Sequence, residues 1–308
     1  MSSDSHSKAI PLKARATALF VRLAITLVGH LPLSWVRSLG AVLGRISLLS
    51  KSRMAVATRQ NIAYCLPDLS PQEQQALIAA SLKETGKLAL ETAVVWARGN
   101  DWVCRHILNV EGREHLTSAI ERKQGVLVLA PHIGNWEVVN YFLASCGDVT
   151  NMYQEPKTAG MNDILQDYRT RCGATLVPTD RKGLMTILKV LKTGGISGIL
   201  PDQTPKEDNS GIFAPFMAQH AFTMTLAHKL IQKSGCLPLF VYAERVKGGF
   251  NITIRPAPSH ITSDDEQTAV NALSEGIEQC VRAIPAQYQW EYKRFRKRLN
   301  DSPNPYST

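Results

Sequence analysis

GVLVLAPHIGNWEVVNYFLASC, residues Gly125 to Cys146, joins two patterns and so sets the fold reading. Gly125 to Pro131 is a short apolar run rich in Val and Leu, the signature of a strand buried on both faces. From Trp136 to Cys146 the apolar residues recur at helical spacing. A strand that runs straight into a helix is the first half of a βαβ unit.

The same alternation continues downstream. DVTNMY (148–153) reads as a second strand, with a helix across Met161 to Cys172. ATLVP (174–178) precedes a helix through Leu184 to Leu191, and ISGILP (196–201) precedes the polar loop DQTPKEDNSG. A long helix near Thr223 to Lys233 follows, then LPLFVYAERVKGGFNITIRPAP, two strands joined by a Gly-Gly turn, and a last helix over about Asp264 to Ile284. The expected fold is α/β, a mixed and mostly parallel sheet flanked by helices, with a late antiparallel hairpin.

Upstream of residue 110 the chain reads as helical. Apolar residues recur at helical spacing from Leu33 to Leu49. Ser70, Pro71 and Glu73 form a helix start, with a capping serine, a proline at the first helical position and the acid of a capping box. No linker-like cluster separates this portion from the rest. We therefore expect a membrane-associating N-terminal helix over 1–30 and a single domain over 31–308, helical to about 110 and α/β beyond.

The N-terminal stretch KARATALFVRLAITLVGHLPLSWV is apolar but carries Arg15 and Arg22. Its longest uncharged piece, Leu23 to Val36, has 14 residues and contains Pro32, whereas a spanning helix needs roughly 20. It has no clean cleavage site for a signal peptide. The readings left are a packed helix, or a helix lying at a membrane surface with its arginines on anionic headgroups.

The net charge of +9 points to an anionic partner without choosing one. The six cysteines, at 65, 104, 146, 172, 236 and 280, form no CxxC and several lie in apolar runs; they read as buried free thiols of a reducing compartment. The dispersed histidines and the absence of HExxH speak against a metal site. No nucleic-acid-binding motif accompanies the basic charge.

His132 lies one residue beyond the first strand, at the rim where open α/β sheets gather ligands. Glu137 falls in the first turn of the next helix, with Asn135 placed to cap it. If the turn brings the two together, the carboxylate orients the imidazole and leaves the other ring nitrogen as a base; backbone N–H groups at the turn are then candidates for an oxyanion site. The plain alternative is a histidine at a strand end and a glutamate satisfying a helix terminus. No Ser or Cys stands beside the pair, which favours a base acting on a substrate hydroxyl over a covalent triad.

HIGNWE resembles the H-x4-D/E box of the membrane glycerolipid acyltransferases. Together with RQNIAYCLPDLSPQE, YRTRCGATLVP, GILPDQTP, IFAPFM and PAQYQWEYKRFRKR, in that order between about Leu19 and Arg298, it resembles the late acyltransferases of lipid A biosynthesis. The resemblance implies a glycerolipid-acyltransferase-like fold and acyl transfer from acyl carrier protein to a hydroxyl of a Kdo-bearing lipid A precursor, a phosphorylated glycolipid, at the cytoplasmic face of the bacterial inner membrane, without cofactor or metal. It implies His132 as general base and Glu137 as its orienting acid, with Arg169 (or Arg171), Asp202, Gln203 and Asn135 as substrate-binding candidates. Read on residues alone, Arg169 is a surface ion pair and Asp202 a turn former. The chain departs from the family in YQEPK, where many relatives carry Arg-Pro, and in PFMA at 215–218 for the usual PFFG, so acyl-chain length does not carry over. An acyltransferase for another lipid, such as a lysophospholipid or a mannosylated phosphoinositide, and a catalytically silent lipid-binding protein are the competing readings. The C-terminal YKRFRKR is the densest basic cluster, otherwise readable as a solvated helix end.

Overall fold

The computed structural model describes residues 12–156, 162–299 and 304–307, with side chains from residue 16 onward. The strand read at 125–131 is β2 (Val126–Leu129), and its four residues are fully buried. Both edges of β2 are occupied by parallel neighbours, β5 (Ile196–Ile199) and β8 (Leu237–Val246). This explains the unbroken apolar run, since neither face nor edge meets water. β9 (Gly249–Pro256) returns antiparallel along β8, and β1 (Ile107–Glu111) closes the sheet parallel to β9, giving the order β1-β9-β8-β2-β5. The architecture is the expected mixed, mostly parallel α/β sheet, with α5 (Arg113–Glu121), α6 (Trp136–Cys146), α8 (Arg181–Lys192), α9 (Leu226–Ser234) and α10 (Glu266–Ala283) among its flanking helices.

Several details differ from the sequence reading. β3 (Thr150–Tyr153) and β4 (Thr175–Pro178) pair only with each other. β3 meets β5 through the single Val149–Ile196 bridge, because the Gly198 N–H on that edge is taken by the Asn151 side chain at 2.7 Å. Thr223 and Met224, read as the start of a helix, end a hairpin strand: β6 (Gly211–Phe216) pairs with β7 (Gln219–Met224). The turn between β8 and β9 is Lys247–Gly248, and Gly249 already pairs with Val246. β1 and α5 carry patterns too short to have been read. YKRFRKR is not a helix end: its residues follow the last helical turn without regular structure. The helix read across Met161 to Cys172 is α7 (Asn162–Thr170); Met161 itself and Lys157 of YQEPK lie outside the described residues, as does the side chain of Arg15.

The N-terminal third is helical as expected, in α1 (Leu12–His30), α2 (Leu33–Leu49), α3 (Arg53–Cys65) and α4 (Pro71–His106). Ser70 and Glu73 form the reciprocal capping box at the start of α4. α2 lies against α4 at glycines: a Cβ on Gly86 would stand 2.1 Å from the Gly40 carbonyl oxygen. Backbones approach this closely only where side chains are absent. α1 packs on α4 through Gly29 and Ile25, and Arg98 of α4 donates to the Gly29 carbonyl at 2.6 Å. No helix among the described residues is long and apolar enough to cross a membrane. α1 nonetheless exposes Leu19, Phe20, Leu23 and Leu27, and α2 exposes Trp35, Leu39, Ile46 and Leu49.

All six cysteines are free thiols; four are buried, and Cys104 and Cys146 are half-buried.

Candidate active site

Parallel pairing brings the carboxyl ends of β2 and β5 side by side, and the site grows from both. Three residues past β2 stands His132; three past β5 stands Asp202. Nδ1 of His132 lies 2.8 Å from Asp202 Oδ1, and the His132 backbone N–H donates to the other carboxylate oxygen at 3.2 Å. Both side chains are buried. Burial alone pushes the Asp202 carboxyl up. The pairing with His132 and its hydrogen bonds, with the Arg294 charge behind, outweigh it and hold the carboxyl below the usual carboxylate range. An ionised carboxylate only accepts, so Nδ1 carries the hydrogen; in the neutral ring Nε2 then presents its lone pair. The Gln203 amide nitrogen sits 3.2 Å from Nε2. The Trp136 ring lies edge-on to the imidazole, with centroids 4.7 Å apart.

The structure thus pairs His132 with Asp202 and gives Glu137 another partner. Glu137 Oε1 accepts from two donors of the Arg169 guanidinium, Nε at 3.1 Å and Nη2 at 2.6 Å. The physical reason is the direction of α6: Glu137 is buried on the side that faces α7, the helix carrying Arg169. Glu137 keeps Arg169 charged against the opposing effect of burial, and the guanidinium remains about a third exposed. Arg171 is turned away into an exposed pair with Asp167.

Asn135 occupies the N-cap position of α6 but caps nothing with its side chain. It is completely buried, and its Nδ2 donates to Glu91 of α4 at 3.2 Å. Its side chain has no exposed surface in this conformation. The turn's N–H groups are also engaged: Ile133 with Pro131, Gly134 with Gln287, and Asn135 with Ala243. An oxyanion site built from these four positions, His132 included, is therefore not formed.

Other residues of the site were not singled out in the sequence. Arg294, inside YKRFRKR, is buried, and its guanidinium donates to the Asp202 carbonyl and stacks over Phe216 at 4.6 Å. Its arginine-rich surroundings disguised it. Beside His132 a small cleft is lined by Glu84, Arg245, Gln287 and Glu291. Burial pushes the Glu291 carboxyl up, and Thr85 donates to it at 3.1 Å. The sign of a buried charge was present at Glu91, a lone acid in the apolar stretch LALETAVV. Among the described residues no group of three or more His, Cys, Asp and Glu side chains is gathered in a way that could hold a metal ion.

The chain is thus an α/β protein with a buried His–Asp pair at the carboxyl end of a parallel strand. The chain belongs to the bacterial lipid A biosynthesis acyltransferase family, whose model matches residues 6–297. It is similar to the lipid A biosynthesis lauroyltransferase of Escherichia coli (strain K12), 28% identical over 287 residues and covering 91% of each chain. The lipid A biosynthesis palmitoleoyltransferase of the same organism is 27% identical over 84% of each chain. A phosphatidylinositol mannoside acyltransferase of Mycobacterium tuberculosis is 21% identical over 79% of this chain and 78% of its own. Family membership makes the chain an acyltransferase of lipid A biosynthesis.

Proposed function

We propose that the protein transfers an acyl chain from an acyl-carrier-protein thioester to a hydroxyl of a Kdo-bearing lipid A precursor, with His132 as general base. The observation that carries this reading is the buried Asp202–His132 pair, which leaves Nε2 as the acceptor. The hydroxyl takes the place of the Gln203 amide next to Nε2. His132 removes its proton as the oxygen attacks the thioester carbonyl. The tetrahedral intermediate then expels the thiolate, which receives the proton from Nε2; the C–O bond forms and the C–S bond breaks. A thioester is already activated, so no metal or cofactor is assigned a step. Glu137, expected to orient His132, instead holds Arg169, whose partly exposed guanidinium suits an acceptor phosphate.

The basic surface suits an acidic carrier protein. Exposed apolar faces on α1 and α2 support work at the cytoplasmic face of the inner membrane. Each large side chain buried there is worth about 1.5–3 kcal/mol, and an acceptor with long chains leaves a bilayer at about 0.8 kcal/mol per CH₂.

The test is incubation of the purified protein with acyl-carrier-protein thioesters and, in parallel, Kdo-bearing lipid A precursor, lysophospholipid or phosphoinositide mannoside, read by mass spectrometry. A mass gain of one acyl chain on the lipid A precursor is expected. Acylation of only another lipid would replace this reading with that substrate.

A further inference from the structure

The turn that carries His132 is held from outside the site by a buried ionic cluster. Glu91, on α4, has no exposed surface. Its Oε1 accepts from Arg37 Nε at 2.6 Å, and its Oε2 accepts from Arg245 Nε at 2.7 Å and from Asn135 Nδ2 at 3.2 Å. Arg37 also donates to the carbonyls of Val246 and Gly249 at the β8–β9 turn. Arg245, on β8, reaches Glu84 at 2.8 Å and the Gly134 carbonyl at 3.4 Å.

Burying three charges for stability alone is poor value, because apolar side chains of similar volume pack at lower desolvation cost. Charged groups do differ from apolar ones in direction: each hydrogen bond fixes where its partner lies. Two of the partners here, the Asn135 side chain and the Gly134 carbonyl, lie on the turn that carries His132. Gly134 adopts φ 59° and has no room for a side chain, since a Cβ would stand 1.9 Å from the Ala243 oxygen. Its N–H donates to Gln287 at 2.9 Å, and the Asn135 N–H donates to Ala243 at 3.0 Å. The His132 carbonyl accepts from the Gln289 N–H at 3.1 Å. Backbone contacts thus hold the turn on two sides, and Asn135–Glu91 is the side-chain contact that ties it to the helical N-terminal portion.

We propose that Glu91, acting through Asn135 with Arg245 beside it, is a positioning residue that sets the His132 turn so that Nδ1–H meets Asp202 and Nε2 faces the cleft. The functional half of this inference rests on His132 being the base.

The experiment measures the His132 ring by long-range proton–nitrogen NMR in the full-length protein, assigned by the signal lost in His132→Gln. Wild type should show one tautomer, with hydrogen on Nδ1. Asn135→Leu removes the link while keeping the branched side-chain shape and leaves Glu91 between its arginines. It should show mixed tautomers, and a turnover number lowered about 10- to 100-fold, the scale of a small misplacement of a reacting group, with acceptor KM within about twofold. Should that variant fail to fold by circular dichroism, Asn135→Ala, which adds no bulk, carries the same measurement. A His132 spectrum identical to wild type in a folded Asn135 variant overturns the proposal. Mixed tautomers with undiminished turnover would support the positioning role and remove His132 as the base.

Discussion

At the scale of single residues, the division of labour between two carboxylates is the central feature. Asp202 meets His132, and Glu137 meets Arg169. His132→Ala and Asp202→Asn are each expected to lower the turnover number at least about 10²-fold, the range for loss of a general base or its orienting partner. Glu137→Gln should have a smaller effect on turnover. Steady-state kinetics of the three variants decides, and a Glu137→Gln defect as deep as that of Asp202→Asn would return the orienting role to Glu137. Arg169→Ala should raise the acceptor KM about tenfold more than Arg171→Ala, since a phosphate contact of this kind is worth on the order of a charge-assisted hydrogen bond; equal effects would remove Arg169 from the acceptor site. The Asp202 carboxyl is held below its unfolded value, so its contribution to stability is complete above the unfolded carboxylate range and is lost as pH falls through the folded pKa. Urea denaturation between about pH 6 and pH 3 should therefore show a shallower acid loss in Asp202→Asn than in wild type.

At the scale of elements, α1 and α2 each have two faces. Ile25 of α1 and Val36 of α2 are buried, while Phe20 and Leu27 are 71% exposed and Leu49 is 81% exposed. Removing residues 1–30 tests membrane attachment poorly, because it also strips Ile25 and the Gly29 contact from α4. Phe20→Gln with Leu23→Gln is cleaner. Both side chains are exposed, so the melting temperature should stay within a few degrees, surface changes being usually within about 0.5 kcal/mol. Co-sedimentation with anionic lipid vesicles should fall by at least about tenfold, as expected for the loss of roughly 1.5–3 kcal/mol per apolar side chain. Undiminished sedimentation would move the anchor away from α1, to α2 or to the basic residues near the C-terminus.

At the scale of the whole molecule, the helical N-terminal portion and the sheet share charges. Arg245 of β8 is bonded to Glu84 and Glu91 of α4, and Arg37 of α2 bridges Glu91 to the β8–β9 turn. Arg245→Met leaves buried carboxylates under-paired and is expected to cost about 3–5 kcal/mol. Urea unfolding followed by both tryptophan fluorescence and far-ultraviolet circular dichroism should remain a single coincident transition at a lower midpoint. Two separated transitions in the variant would mean that the helical portion and the sheet fold independently.

What the sequence determined by itself is local. Apolar periodicity separates the β2 run from the α6 pattern, the Ser70–Glu73 box starts α4, and the turn after Pro131 puts His132 at a strand end. Each of these depends on residues within about one or two helical turns of one another, where spacing translates directly into geometry. It also placed Asp202 in the loop that follows a strand, but with no means of choosing it over Glu137 as the partner of His132, since the nearer acid is always the easier inference. Only the tertiary structure decided between them. Setting β5 beside β2 brings together side chains 70 positions apart, and folding α4 across β8 joins Glu91 to Arg245 over 154 positions. Such pairings leave no periodic trace in the chain. They follow from strand order and helix packing, which are settled by burying the whole apolar surface at once.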